Sequence, residues 1–418
     1  MKNHPIAVIS TYPPKGSKYG HKLSAVASYA KNTLDAVLGS DNSYQFEVIA
    51  DIRDKRESYV DDGVTVHRVW RTNSILAYWD IAKFVVKGKY KKIVVEYEWA
   101  LFGNKLWMSI FLPFFVLLFR MLGKKVYTIQ HAVLLDANKV SGQINTNKVF
   151  LKLFTFAFKI LYLFIVLFST KVVVFEESLR KQLISLTGMA EKIVTIPHGV
   201  DEYSSKLTKT EARRKLKISE DTFLICNFGF HIWYKGSDWV AQAIAHYLSL
   251  NEKSDLKLIM AGGPTQKYLK DSNYQKLLRK INKAVAGSNG KIEVTGFVEE
   301  KDIEVYFMAA DLIIFPYRVF LSSSGPLSLA FTYRKPFLLS EPLGEYFQTN
   351  DFSSNIRKSH LSKQDVIFSL NQEDLFNKIE EILKNRKILG KLSEFSSKMY
   401  ESRKWSVIGK SYAKLLNE

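Results

Sequence analysis

The sequence predicts an α/β protein built as two parallel-sheet domains that face each other across a cleft. Three observations carry this. A chain of 418 residues exceeds what one ordinary hydrophobic core organises. Short apolar runs alternate with helical patterns along most of it, the signature of βα units. A polar stretch at 201–221, DEYSSKLTKTEARRKLKISED, separates two such sets and reads as a linker. With 47% hydrophobic and 24% charged residues, the composition is that of a folded chain.

In the first set the expected strands are IAVIS (6–10), FEVIA (46–50), KIVVEY (92–97), KVYTIQ (125–130), KVVVF (171–175) and VTIP (194–197), with helices at 22–39 and 178–187. The second set offers FLICNFG (223–229), LKLIMAGG (256–263), KIEVTGF (291–297), LIIFPY (312–317) and KPFLLS (335–340). The segment 399–416 reads as one amphipathic helix whose Trp405 and Tyr412 can pack back across the cleft. The expected division is 1–205, 206–398 and a closing helix at 399–418. In such a pair of domains a ligand lies between them, at the carboxyl ends of the strands.

One cysteine, Cys226, excludes an internal disulfide and a cysteine-based metal cluster, and fits a reducing compartment. The opening MKNHPIAVISTYPP has no long apolar region, so no signal peptide is expected. The net charge of +19 is uneven. From Trp99 to Phe175 a single acid, Asp136, stands against nine bases, among them Lys148, Lys152 and Lys159. The same stretch holds the apolar segments 108–119 and 149–168. The first is too short to span a bilayer and is interrupted by Pro113; the second carries two lysines inside it. Basic, aromatic-rich helices of this kind suit the plane of an anionic membrane, and the expected contact runs through 101–125 and 148–171. Two buried helices flanking a sheet would give the same pattern. No helix-turn-helix, zinc-finger or RNP-like pattern occurs, so no nucleic-acid partner is expected.

The informative residues follow strands. In FPYRVFLSSSGPLSLAFTYRKPFLLSE (315–341), Ser322, Ser323, Ser324, Gly325, Pro326 and Leu327 lie where a helix starts, a seat for phosphate through backbone N–H groups and hydroxyl caps. No acid stands between Asp311 and Glu341 to repel an anion. An ordinary strand–loop–helix unit would look the same. In FGFHIWYKG (228–236), Lys235 brings a positive charge to a helix start beside Gly229 and His231. Gly263 in AGGP leaves room for a ligand near the backbone. Gly16 and Gly20 in STYPPKGSKYGHK permit a close approach, though this is not a dinucleotide fingerprint. His131 in TIQHAV ends a strand facing the cleft, where a neutral imidazole can donate or accept a hydrogen bond; a packing role remains open. Glu98 in YEWALFG is either an acceptor-side group or a solvated acid, and His198 in IPHGVD either lines the cleft or caps a turn. No DxD, HExxH or G-x-S-x-G pattern occurs, so no metal and no cofactor are expected, and hydrolase chemistry has little support.

Taken in order, STYPP, YEWALFG, TIQHAV, IPHGVD, GFHIWYKG, KLIMAGGP, IEVTGF with EEKDIEVYFMAADLIIFPY, and SSSGPLSLAFTYRKP resemble the family 4 retaining glycosyltransferases of GT-B fold over nearly the whole chain. The resemblance implies two Rossmann-like domains, acceptor-side and donor-binding. It implies metal-independent hexosyl transfer from a nucleotide-diphosphate sugar, with retention at the anomeric carbon. His131 would contact the donor sugar, and Lys235 with the amides around 323–327 would neutralise the departing diphosphate. Gly16 and Gly20 would let their loop close over the donor.

Two departures stand out. The glutamate pair that many members carry in the last donor segment is absent, its second position falling near Leu329. The arginine partner of the lysine is missing where Phe230, His231 and Ile232 stand. The expected protein is a cytoplasmic transferase, or one peripheral on the inner face of the cell membrane, acting on a lipid-linked or cell-envelope glycan in polysaccharide biosynthesis. A soluble oligosaccharide or protein glycosyltransferase, and a catalytically inactive GT-B scaffold, are the alternatives.

Overall fold

Val- and Ile-rich runs with no polar alternation need cover on both faces, and in the computed structural model they become the central strands of two sheets. The structure describes residues 4–17, 24–99, 101–103, 106–142, 147–203 and 205–418. The first sheet comprises β1 (Ile6–Ile9), β2 (Phe46–Asp51), β3 (Ser58–Asp61), β4 (Val64–Trp70), β5 (Lys92–Tyr97), β6 (Lys125–Gln130), β7 (Lys171–Val174) and β8 (Ile193–Thr195). Its order is β3-β4-β2-β1-β5-β6-β7-β8, parallel except for the antiparallel β3–β4 pair. The second comprises β9 (Phe223–Phe228), β10 (Leu256–Ala261), β11 (Ile292–Val294), β12 (Leu312–Phe315), β13 (Phe337–Ser340) and β14 (Ile367–Phe368). It runs β11-β10-β9-β12-β13-β14, all parallel. Both orders reverse direction at the first strand of the set, which opens a crevice at the carboxyl ends of β1 and β5, and of β9 and β12.

Along the first sheet run α1 (Ala25–Ser40), α2 (Leu76–Lys87), α3 (Leu112–Met121), α4 (Lys148–Phe168) and α5 (Glu177–Thr187). With the second run α6 (Lys209–Leu216), α7 (Ser237–Leu250), α8 (Ser272–Ala286), α9 (Glu300–Ala309), α10 (Gly325–Thr332), α11 (Asn350–Lys358), α12 (Lys363–Val366) and α13 (Gln372–Lys384). Helices α14 (Lys387–Arg403) and α15 (Trp405–Asn417) close the chain. Helix α15 returns to the first sheet and lies on α1, where the Tyr412 and Tyr29 hydroxyls meet at 2.6 Å.

Four expectations change. The hairpin β3–β4 turns at Asp62-Gly63, both with positive φ, an Asp-Gly hairpin signal that the parallel-strand reading passed over. The polar stretch 201–221 contains α6, whose Thr208 and Glu211 form a capping box that the charge density of the segment obscured. Pro113 does not interrupt the apolar run 108–119. It sits in the first turn of α3, where its missing N–H costs nothing. The closing helix is broken at Lys404, because that residue pairs with Val200 at the chain crossing: Val200 N donates to Arg403 O (2.8 Å) and Trp405 N to Val200 O (3.2 Å).

Candidate active site

The crevice of the second sheet is built by the loop after β9. Gly229 N donates to Ala261 O and His231 N to Gly263 O, both at 3.0 Å, so the 229–231 backbone lies along the loop after β10. Trp233–Lys235 then form one 3-10 turn, and Gly236 (φ +69°) leads into α7. A Cβ at Gly236 would stand 1.9 Å from Pro316 O, so only glycine lets the turn press against the end of β12. Arg318 clamps the turn: its guanidinium donates to Trp233 O (2.6 Å), pairs with both oxygens of Asp238 (2.7 and 3.1 Å) and lies 5.3 Å from the centre of the Trp233 ring.

This clamp fixes Lys235. Its Nζ lies 3.0 Å from the point a Cβ of Gly229 would occupy, with Pro326 Cγ 3.4 Å from the same point, so the ammonium stands between the β9 loop and the start of α10. Burial lowers its pKa to about 8, and no carboxylate among the described residues offsets that burial. His231 beside it is 1% exposed, and neither ring nitrogen has a hydrogen-bond partner among the described residues. Burial pushes its pKa down to about 4, so it is neutral at pH 7 and does not replace a missing cation. Gly263 meets Gly296, its absent Cβ only 3.0 Å from Gly296 Cα, and closes the far wall.

The serine loop joins this wall in a changed role. Ser324 is the N-cap of α10, accepting Leu327 N (3.3 Å), and it also bonds Tyr317 OH (2.8 Å). Ser322 Oγ turns to Ser323 O (3.1 Å) and Ser323 Oγ donates to Glu176 Oε1 (2.7 Å). Two of the three hydroxyls therefore serve the segment between β12 and α10, the third reaches Glu176 on the first sheet, and Leu327 is buried in the core with its amide committed to the cap. What faces open space is Gly325, where an added Cβ would meet nothing within 4 Å, next to Pro326 and Lys235. An anion seat here consists of the Lys235 ammonium and the positive end of α10, not of hydroxyls.

On the first sheet, His131 follows β6 and its Nε2 lies 2.8 Å from Glu96 Oε2. Glu96 points from β5, is 1% exposed, and burial raises its pKa against the pull of the imidazole. The His131 ring meets Tyr29 and Phe175 edge-on, at 4.9 and 5.3 Å. His198 joins the same aromatic group, 5.0 Å from Tyr29 and 6.0 Å from Trp405, with Nδ1 2.7 Å from Gly199 O, and burial lowers its pKa to about 4. It packs at the chain crossing, between Tyr29 and Trp405. Glu98 is half-buried in the turn after β5, where its carbonyl accepts Leu101 N (2.9 Å). Gly16 (φ +72°) donates its N–H to Asp61 Oδ1 at 3.0 Å, and Gly20 lies outside the described residues. The two walls touch where Val133 N donates to Leu321 O (3.2 Å) and where Gly142 abuts the Trp233 ring.

Four residues at this site carried little signal in the sequence. Glu96 is an acid within an apolar strand run, the one visible hint. Glu176, Arg403 and Arg318 have none, because their partners are distant in sequence. Glu176, 0% exposed, accepts Arg403 Nη1 (2.6 Å) and Ser323 on one oxygen, and Arg403 Nη2 (3.0 Å) and Thr349 Oγ1 (2.7 Å) on the other. Arg403 also pairs with Asp351 at 2.7 and 3.0 Å. Among the described residues no three metal-ligating side chains come together.

Residues 222–385, which span the second sheet, match the family model described as glycosyl transferases group 1. No curated protein matches the chain. Among solved structures, a sucrose-phosphate synthase from Thermosynechococcus elongatus is 14% identical, covering 99% of this chain and 98% of its own, with a TM-score of 0.71. A trehalose-6-phosphate protein from E. coli bound with UDP-2-fluoro glucose is 10% identical, covering 99% of each chain, at 0.70. Anabaena Alr3699/HepE in complex with UDP-glucose is 12% identical, covering 99% of this chain and all of the other, at 0.66. With a group 1 glycosyltransferase domain at its carboxyl-terminal sheet and a GT-B fold throughout, the chain is a glycosyltransferase of GT-B type.

Proposed function

We propose that the chain moves a hexose from a nucleotide-diphosphate donor to a lipid-linked or cell-envelope glycan at a membrane surface, with retention and without a metal. The donor half rests on one observation: Lys235 is held, without an anionic partner among the described residues, between Gly229 and the first turn of α10, beside the orphaned His231. A buried cation raises the energy of the empty site, and a diphosphate removes that penalty. As the glycosidic bond to the donor lengthens, negative charge grows on the diphosphate, and the ammonium and α10 stabilise it. His131, oriented by Glu96, faces the sugar from the opposite wall. A donor-side role for Gly16 and Gly263 and an acceptor-side role for Glu98 rest on the ordered motifs. The retaining, metal-free course rests on the ordered motifs, as does the division into 1–205, 206–398 and 399–418. The Anabaena protein's UDP-glucose makes uridine diphosphate sugars the first donors to try.

The membrane half rests on α4. Val149, Leu153, Phe156, Ile160 and Leu167 are exposed and recur at i, i+4, i+7, i+11 and i+18, one stripe along the helix. Leu151, Leu161, Tyr162, Ile165 and Val166 on the other side are buried against the protein. Exposed Lys148, Lys152 and Lys159 edge the stripe, and exposed Phe111, Phe114, Leu118 and Met121 extend it through α3. By length and composition α4 is able to cross a bilayer. One face packed on the protein and lysines along an apolar stripe favour a helix lying in the interface plane. On this reading the chain works at the inner, cytoplasmic face of a membrane. The Trp99 ring stacks on Phe158 (5.5 Å), and Tyr162 OH bonds Ala132 O (2.7 Å) beside His131, so the protein-facing side of α4, opposite the stripe, adjoins the cleft.

Donor-dependent release of nucleoside diphosphate, measured with a panel of nucleotide sugars and glycolipid acceptors, tests the transfer; absence of turnover with every pair refutes it. Flotation with vesicles containing phosphatidylglycerol tests the membrane contact. Wild type should float at low salt and Leu153→Glu/Phe156→Glu should not; equal behaviour of the two refutes the contact.

A further inference from the structure

Glu176 stands where the two sheets are joined. It follows β7 of the first sheet, and four donors fill its two oxygens: two from Arg403 and one each from Thr349 and Ser323. All three partners belong to segments packed with the second sheet, and Arg403 directly precedes the break at Lys404 where the chain crosses back. Thr349 Oγ1 also accepts Glu177 N (3.1 Å), so the start of α5 is capped from the far side of the junction. A side chain at α5's cap position would ordinarily turn onto its own helix; Glu176 makes no such bond.

One of these bonds reaches the candidate donor site. Ser323 lies two residues before Gly325, on the loop that brings α10 to Lys235. That loop is held from its own side by Tyr346 OH, which accepts Ser324 N (2.7 Å), and from the other by Glu176 and by Val133 N on Leu321 O. Atoms at a junction between two bodies move least when the bodies turn, so a bond made there holds a loop through the motion. We propose that Glu176 is a positioning residue for the donor: through Ser323 it seats the serine loop so that the start of α10 faces the diphosphate, and it ties that seat to the placement of the two sheets. This rests on the donor reading above. Glu176 touches no donor itself; Ser323 spends its hydroxyl on Glu176 and not on phosphate.

The test is calorimetric binding of uridine, guanosine and adenosine diphosphates to the full chain, with melting temperature as a check on the fold. Ser323→Ala should weaken diphosphate binding about tenfold, the worth of a hydrogen bond to a charged group, at nearly unchanged melting temperature. Thr349→Val removes an equal hydroxyl from the same carboxylate but none from the loop, and should bind within about twofold of wild type. In the pair Ser323→Ala with Glu176→Gln, the loss should be no larger than the worse single loss, since both break one link. Losses that multiply would mean Ser323 acts on the donor directly and would overturn the proposal. So would Ser323→Ala binding as wild type, or Thr349→Val weakening binding as much. If Glu176→Gln does not fold, the serine and threonine variants decide alone. If wild type binds none of the three diphosphates, the donor reading fails and this proposal with it; if wild type binds and the variants do not differ, this proposal alone fails.

Discussion

Replacing Lys235 with methionine keeps the stem and removes the charge. The site gives the magnitude. Nζ is confined between Gly229 and Pro326, and on the proposed reading a phosphate oxygen binds against it. At about 4 Å and an effective dielectric of about 20, one charge pair contributes about 4 kcal/mol. Desolvation of the incoming diphosphate offsets about half, leaving about 2 kcal/mol, or about thirtyfold in donor affinity. Burial of the ammonium sets a pH dependence. With a pKa of about 8 the free site is charged below that pH and neutral above it. The kcat/KM for the donor, which reports the free enzyme, should therefore fall about tenfold between pH 7 and pH 9. A bound diphosphate pulls the lysine's pKa up, so kcat at saturating donor should hold to higher pH. Lys235→Met should lose both the affinity and the alkaline limb of kcat/KM. Titration calorimetry and initial rates from pH 6 to 10 measure the two. A variant that binds within about threefold of wild type and keeps the same profile would refute a charge role for Lys235.

Three further outcomes follow from the geometry. Arg403→Met leaves the buried Glu176 and the half-buried Asp351 without their cation and should cost about 3–5 kcal/mol in chemical denaturation; a change below about 1 kcal/mol would show that water reaches the cluster. Gly236→Ala puts a Cβ 1.9 Å from Pro316 O at a positive φ, and should destabilise by at least about 1–3 kcal/mol while weakening diphosphate binding, both absent if the turn relaxes freely. Glu96→Gln keeps a hydrogen bond to His131 but not its charge, and should lower kcat about tenfold with donor affinity unchanged, whereas equal loss in both would point to a packing role.

Much of the frame was legible because its causes are local. Runs such as KIVVEY and FLICNF have no polar alternation, so they require a covered parallel sheet, and they form β5 and β9 within a residue of expectation. The lysine turn was legible for the same reason: a Lys-Gly pair before a helix, after a strand, is a local pattern, and the structure adds only that Gly236 is required by Pro316 O. Readings failed where a segment's conformation answers to something outside it. The closing helix breaks at Lys404 because Val200, far away in sequence, takes its backbone bonds. The serine hydroxyls, read as open to phosphate, are claimed by Tyr317 and Glu176.

The sequence by itself determined two α/β sheets, a basic apolar flank, and a lysine and a serine-glycine helix start placed after strands, because periodicity, turn chemistry and local charge act over a few residues. Only the tertiary structure decided which groups meet. It set Lys235 against Pro326, His131 against Glu96, and Glu176 at the junction of both sheets with Arg403 and Ser323. Such pairings span from tens to more than two hundred residues of chain, and no local pattern encodes them. They arise because a buried charge must find its partners wherever the packing brings them.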